Sequence, residues 1–508
     1  MKSIVKKLAI GTLILTIILT AATYLLFRSE IDHMLGGNTE VVDVTQFKTI
    51  SGDLAITNVS VLSADSQSMR PNQTVLINDD TIVSVDQNLV IPERYHVIDG
   101  EGKFLIPGLV DSHVHIKKSK NDFLLYIANG ITQIGEMTGM EQHFDYRQDI
   151  RNGAIGPGIF IASPKINSLQ GIYPTIRSLF EKRHQNFFDT DSVRQAVKKF
   201  KLMGYDAIKL SSDIDADIYY AINDEAQKQK IPVIGHLPVG LQLDDLYRSG
   251  QSQLGHIDSI THNLLVEFGG VYSKNSQAFL EQVSALADSI AVKFKQNDIA
   301  LASTVWLHKT IPQQDFNLAD FLKSIELEYQ NPGWLEGSIV SRGCLPGSNS
   351  YENPHNTDPE SKLESEIYFQ TYNKAIAIIT QALVRHDVVI TAGTDALGAC
   401  GMIAGFSLHY ELETLHELGL SNAQVLHSAT LAPAKWMGTN AGIIESGFRA
   451  DLVLLNKNPL ENISNTRTIN SVITKGKYLD RSQLDKILAA VKEANKNSRK
   501  VNIDSYLN

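Results

Sequence analysis

The sequence predicts an α/β chain: a (β/α)8 TIM-type barrel, a small β-sandwich built from both chain ends, and an N-terminal transmembrane helix. Three observations carry this. Through the middle of the chain, apolar β-branched runs alternate with amphipathic helical stretches, the mark of a parallel α/β architecture. Short strands divided by turn residues occupy 51–106 and return at 439–481, so the two ends can share one β unit. Leu8–Phe27 is twenty residues without a charge, long enough to cross a hydrocarbon core as a helix.

Taken in order, residues 1–28 read as a membrane anchor or signal segment. Lys2, Lys6 and Lys7 precede the apolar run and Arg28 follows it, which favours a cytoplasmic N-terminus and an extracytoplasmic body. Thr20, Ala21 and Ala22 offer a cleavage-like site, but the apolar run continues to Phe27. An uncleaved anchor is therefore favoured over a secreted product. Residues 29–50 read as a polar tether. The β unit follows, with strands over Leu54–Leu62, Thr74–Asn78 and Thr81–Val85, and a turn at Asn78, Asp79 and Asp80. Its second half holds strands at 449–455 and 471–474 and a hairpin turn at Lys475 and Gly476.

Residues 107–438 hold the barrel. Eight strands are expected near 108–115, 131–136, 158–163, 206–211, 231–236, 252–257, 299–306 and 388–394, with helices such as 191–203, 217–230 and 407–418 between them. The stretch 310–386 is too long for one connection. Extra helices and loops around Asn331–Trp334 and Cys344–Gly347 would cover the barrel mouth. Residues 482–508 close the chain as an amphipathic helix and tail.

A chain of 508 residues, 43% hydrophobic and 20% charged, has ordinary globular composition. A net charge of −10, with no basic patch, speaks against nucleic-acid binding. The two cysteines, Cys344 and Cys400, form no CxxC pair. They read first as buried small apolar residues; whether they pair stays open.

In a parallel barrel the chemistry sits at the C-terminal ends of the strands. There the sequence places His113 and His115, Lys209, His236, His256 and Asp395, each closing an apolar run. His113 and His115 are two apart on an extended strand, so both imidazoles face one side, as a metal site requires. Tyr173, His143, Arg177 and His308 fall near the expected mouth and are candidate substrate contacts, though each also reads as an ordinary loop residue.

Together with Pro107–His115, Gly130–Thr132, Ile208, Gly255, Gly393–Asp395, Ala429–Pro433 and Gly442–Leu455, this series resembles the amidohydrolase superfamily. It is most similar to its imidazolonepropionase-like and binuclear Xaa-Pro dipeptidase-like branch. The resemblance implies that His113, His115 and Asp395 hold one divalent metal and that His236 and His256 hold a second. Lys209 would bridge them as a carbamate (carboxylated lysine). Zinc suits such ligands. Two dications against carbamate, Asp395 and a bridging hydroxide nearly balance in charge. Asp395 would be the catalytic proton carrier, and the reaction hydrolysis of a small-molecule C–N amide bond in a dipeptide or N-acyl amino acid. Family members often carry an arginine where this chain has Gly135, so substrate contacts on the second strand are not carried over. Two alternatives stand: a mononuclear deaminase or cyclic imide or lactone hydrolase, against which Lys209 counts, and a non-catalytic membrane-tethered binding protein. Homo-oligomerisation is left open.

Overall fold

The computed structural model describes residues 2–169, 171, 183–339, 341–353 and 358–507; Tyr173 and Arg177 lie outside them. Both chain ends contribute to one nine-stranded sheet. Its order runs Ile50–Ser51, Lys477–Asp480, Ile469–Thr474, Leu452–Leu455, Phe104–Pro107, Leu54–Leu62, Met69–Asn78 and Thr81–Asp86. His96–Asp99 pairs with the first half of Leu54–Leu62, while the second half pairs with Phe104–Pro107. The pairing register shifts near Asn58, whose φ is 56°. A bulge there turns the strand. Leu54, Ile56, Val75, Ile77, Leu105, Leu452 and Ile473 pack as a core distinct from that of the barrel.

The Lys475–Gly476 turn joins Ile469–Thr474 to Lys477–Asp480, with φ of 49° and 72°. Two successive positive φ values are what a two-residue hairpin of right-twisted strands needs.

The centre of the chain is TIM-barrel-like. Its eight parallel strands are Leu109–Val114, Ile131–Glu136, Gly158–Ile161, Ile208–Leu210, Val233–Gly235, Gln253–Gly255, Ala300–Ala302 and Ile390–Thr391. The first three pair in sequence, as do the last five. Parallel bridges from Ala162 to Ala207 and from Val114 to Ala396 link the two sets. Most of these strands are shorter than the apolar runs suggest. Two further short strands, Lys165–Asn167 and His184–Asn186, extend the sheet beside Ile208–Leu210.

The insertion before the eighth strand holds helices Val305–Phe316, Leu318–Lys323, Pro332–Glu336 and Pro359–Arg385. Asn331 caps the short one, accepting from the Gly333 and Trp334 amides. Cys344 and Cys400 form a disulfide, with Cα atoms 5.3 Å apart. It ties the insertion to the loop after the eighth strand, and it replaces the reading of both as simple buried apolar residues.

The N-terminal helix runs from Lys2 to Met34, and its apolar stretch is exposed throughout. Residues 29–50 read as a polar tether from sequence. They lie instead against the body, with His33, Met34, Leu35, Val42 and Phe47 buried. Apolar side chains spaced through that segment explain the docking.

Candidate metal centre

All six rim residues singled out from the sequence converge. His113 Nε2 lies 3.4 Å from Lys209 Nζ and 3.7 Å from Asp395 Oδ1. His115 Nε2 lies 2.8 Å from the same carboxylate oxygen. The His113 and His256 rings are 4.5 Å apart, and His256 stacks on His236 at 4.8 Å. Backbone geometry aims two of these side chains: Asp395 and His256 have φ of 58° and 67°. Non-glycine residues tolerate that region only where surrounding structure enforces it.

Burial sets the protonation states. It drives His113 and His236 well below the ordinary imidazole value, and His115 and His256 to about 4. Near neutral pH all four are neutral, as metal ligands must be. Burial, with Lys165 nearby, brings the Lys209 ammonium down to about 7. Burial alone would raise Asp395, but His115, His256 and Lys209 around it together leave the carboxyl depressed.

The hydrogen bonds around Thr138 suit one tautomer of His115. Thr138 Oγ1 donates to Glu136 Oε1 at 3.2 Å and accepts from Arg183 at 2.7 Å. When that hydroxyl proton stays on Glu136, His115 Nδ1, 2.7 Å from Thr138 Oγ1, is the donor. That tautomer turns the His115 Nε2 lone pair toward the Asp395 carboxylate at 2.8 Å. Two acceptors at that distance repel unless a cation lies between them. The donor set thus fits a divalent metal. His113, His115 and Asp395 offer ligand atoms within 4.8 Å of one another, as does a second trio, His256, Asp258 and His308.

Supporting residues escaped the sequence reading. Glu136, raised to about 7 by burial, takes the Thr138 and Ile116 amides. Thr304 Oγ1 lies 2.9 Å from His256 Nδ1. Asp111, raised to about 8 by burial, accepts from the Thr394 hydroxyl at 2.7 Å and so braces the residue before Asp395. Glu411 accepts from the Val305 and Trp306 amides at 3.0 and 2.7 Å, tying down the end of the seventh strand. Each is a polar residue in or beside an apolar stretch, a signal too common to single them out.

Of the mouth candidates, His308 stands 3.1 Å from Asp258. Burial lowers its pKa, but Asp258 outweighs burial and the net shift is upward. His143 is fully buried and accepts from the Met140 amide at 3.0 Å, which makes it a helix cap. A side chain at Gly135 would run into the Ser112 carbonyl, so the strand crossing leaves no room for an arginine there.

Comparison with known proteins agrees with this geometry. The 5'-deoxyadenosine deaminase of Methanosphaera stadtmanae is 22% identical over 420 residues, 77% of this chain and 84% of its own length. Similar solved structures include a prolidase complexed with N-methylphosphonate-L-proline, with a TM-score of 0.61, 18% identity, and 84% of this chain and 100% of that one covered. A putative prolidase from Bifidobacterium longum gives 0.59 at 20% identity, covering 87% and 99%. Bottromycin amidohydrolase gives 0.64 at 18%, covering 87% and 90%. The profile described as "Amidohydrolase family" matches residues 104–479, well over half the sequence. With the rim geometry and this match in hand, the chain belongs to the amidohydrolase family and is an enzyme.

Proposed function

We propose that the chain is a binuclear metal-dependent hydrolase cleaving a C–N amide bond in a small molecule of the dipeptide or N-acyl amino acid type. The observation that carries this is the convergence of His113, His115 and Asp395, with His115 Nε2 and Asp395 Oδ1 2.8 Å apart, in a cluster that also buries Lys209. His113, His115 and Asp395 would hold one cation, and His236 and His256 the other. Lys209, held near neutrality by burial, adds through its free amine to carbon dioxide and loses one proton. The resulting carbamate is an anion suited to bridge. Zinc fits these ligands.

Two such cations supply an acidified water and a polarised substrate carbonyl. The chain's own groups do the rest. Asp395 takes the proton of the attacking water and returns it to the departing amine, which leaves poorly as an anion. Thr138 and Thr304, 2.7 and 2.9 Å from the Nδ1 atoms of His115 and His256, orient the two rings.

The same reading closes the eight strands into a barrel over 107–438, supported by the Ala162–Ala207 and Val114–Ala396 bridges. It folds 51–106 and 439–481 into a sandwich, supported by the bend at Asn58 and the separate core. Residues 1–28 form the anchor. The Cys344–Cys400 disulfide supports an extracytoplasmic body, because disulfides persist in oxidising compartments.

Metal analysis of the purified chain tests this. The expected content is about two divalent ions per chain, with at least one lost in Lys209→Ala. One tightly held ion, indifferent to Lys209→Ala, favours a mononuclear deaminase, the activity named for the Methanosphaera relative. A panel of dipeptides, N-acyl amino acids, lactones and cyclic imides then assigns the bond. Inertness toward all of them by the metal-loaded protein favours a binding protein.

A further inference from the structure

The N-terminal helix meets the body at the catalytic rim. Its stretch Leu8–Phe27 is exposed, but its end is docked. Asp32 pairs with Lys118, the Leu35 carbonyl accepts the Lys118 amide at 2.8 Å, and His33 lies 3.5 Å from Glu336. Gly333 admits the His33 carbonyl where no Cβ would fit. Lys118 stands three residues beyond His115. The short helix Pro332–Glu336 carries Trp334, which covers the Lys117 ammonium and donates to the Ala399 carbonyl at 3.4 Å. Ala399 stands four residues beyond Asp395. One small helix therefore touches the anchor and the loops after the first and eighth strands. At ~1.5 Å per residue, the six residues from Phe27 to His33 place this rim about 9 Å from the end of the apolar stretch. The nine-stranded sheet lies at the opposite end of the barrel strands.

The same face exposes large apolar side chains. Val239, in the loop after the fifth strand, is 72% exposed, and Ile339, in the insertion, 73%. Helices Ser276–Gln296 and Pro359–Arg385 lead into the seventh and eighth strands, so their N-terminal ends stand on the catalytic side. Tyr272 and Leu363, at those ends, are 56% and 55% exposed. Scattered apolar side chains are ordinary on a protein surface. Here they share the face that the docked helix holds beside a bilayer.

We propose that the catalytic face rests on the outer surface of the membrane that the N-terminal helix spans, with Val239, Tyr272, Ile339 and Leu363 in the interfacial layer. The amides it cleaves are amphipathic N-acyl amino acids with long acyl chains, taken from the leaflet. The proposal rests on the reading of the site as an amide hydrolase and of the first helix as an uncleaved anchor. Each methylene raises partition into the leaflet by about fourfold, so a long chain concentrates substrate at the rim.

The test uses the full chain in nanodiscs of phosphatidylethanolamine and phosphatidylglycerol. With Cys344 and Cys400 paired, nitroxides go to Ile339→Cys and Leu363→Cys, and to Leu202→Cys at the far end of helix Thr190–Met203. Lipid-soluble oxygen is expected to relax the first two labels several-fold more than a water-soluble nickel complex does, and the third less. Equal behaviour at all three sites overturns the membrane contact, whatever the enzyme hydrolyses. In the second arm, kcat/KM for an N-lauroyl amino acid should exceed that for its N-acetyl counterpart. The double variant Ile339→Ser, Leu363→Ser should lower only the former, by about tenfold, or roughly two methylenes of partition. An unchanged ratio overturns supply from the leaflet. Lipid-facing labels with no hydrolysis of either amide sink the amide-hydrolase reading and leave the surface standing.

Discussion

The two ends of the barrel treat polar groups in opposite ways. At the sheet end, most charged residues sit in turns reached by solvent, Asp79 and Asp80 between two strands and Lys475 between two more, with Asp451, buried beside Arg449, the exception. At the rim, ionisable groups are withdrawn from water and lean on one another: Asp111, His113, Lys209, His256 and Glu411 are all buried. The sheet end follows local rules, alternation along strands and positive φ at turns. The rim goes against the general rule that ionisable groups stay in water and holds only because each group answers another far away in sequence. A substitution at the rim should therefore disturb a network, and one at the sheet end only its own neighbours.

The sharpest break is at Asp395. Asp395→Asn keeps the shape but removes the proton carrier and a charged ligand. Its kcat/KM should fall by about three orders of magnitude or more, with the fold retained by circular dichroism. A loss of less than about tenfold would move the proton-transfer role elsewhere, with His308 beside Asp258 as the next candidate.

Next in size is the disulfide. Cys344 and Cys400 are separated by 56 positions, and closing a loop of that length restricts the unfolded chain by about 4 kcal/mol in the chain-entropy picture. The double Ser variant should lose roughly 2–4 kcal/mol on denaturant unfolding. Because the bridge joins the insertion to the loop after Asp395, activity should fall along with stability. A variant that loses stability but keeps full kcat would make the bridge a staple only.

Smaller still is Thr138→Val. It removes the hydroxyl that accepts from His115 Nδ1 and so frees the ring to turn. Metal affinity should drop by about 10- to 100-fold, read by competition with a chelator, while the melting temperature of the metal-loaded protein barely moves. An unchanged affinity would mean that packing alone orients the ring.

This contrast also decides what the sequence could show. Strand ends were legible because an apolar run stopped by His or Asp is a local pattern; His236 and Asp395 could be placed from their own neighbours. The Lys475–Gly476 hairpin was legible for the same reason. Thr138 and Glu411 were not, because their roles exist only once strand or helix ends from elsewhere arrive beside them. Residues 29–50 read as a tether since their composition is polar, yet Val42 and Phe47 find buried places beside the first barrel helix and the C-terminal helix. The strands Lys165–Asn167 and His184–Asn186 were missed because they hold at most one apolar residue each, so no apolar run marks them.

Lys475 tests the quiet end of the comparison. Burial, with Arg449, Arg151 and Lys477 nearby, brings its ammonium to about 8, although Asp451 opposes the shift. Its folded value lies below the unfolded one. Between pH 8 and about 10.5 the unfolded chain therefore binds more protons, and stability rises with pH across that window. Lys475→Asn removes the half-buried ammonium and keeps a residue at ease with positive φ beside Gly476. It should raise stability at pH 7 by no more than about 1 kcal/mol, the ammonium being only partly withdrawn from water, and flatten the rise above pH 8. A titration of melting temperature against pH reads both effects. If the variant instead lost metal or activity, the two ends of the barrel would be coupled, and the division between a local sheet end and a networked rim would fail.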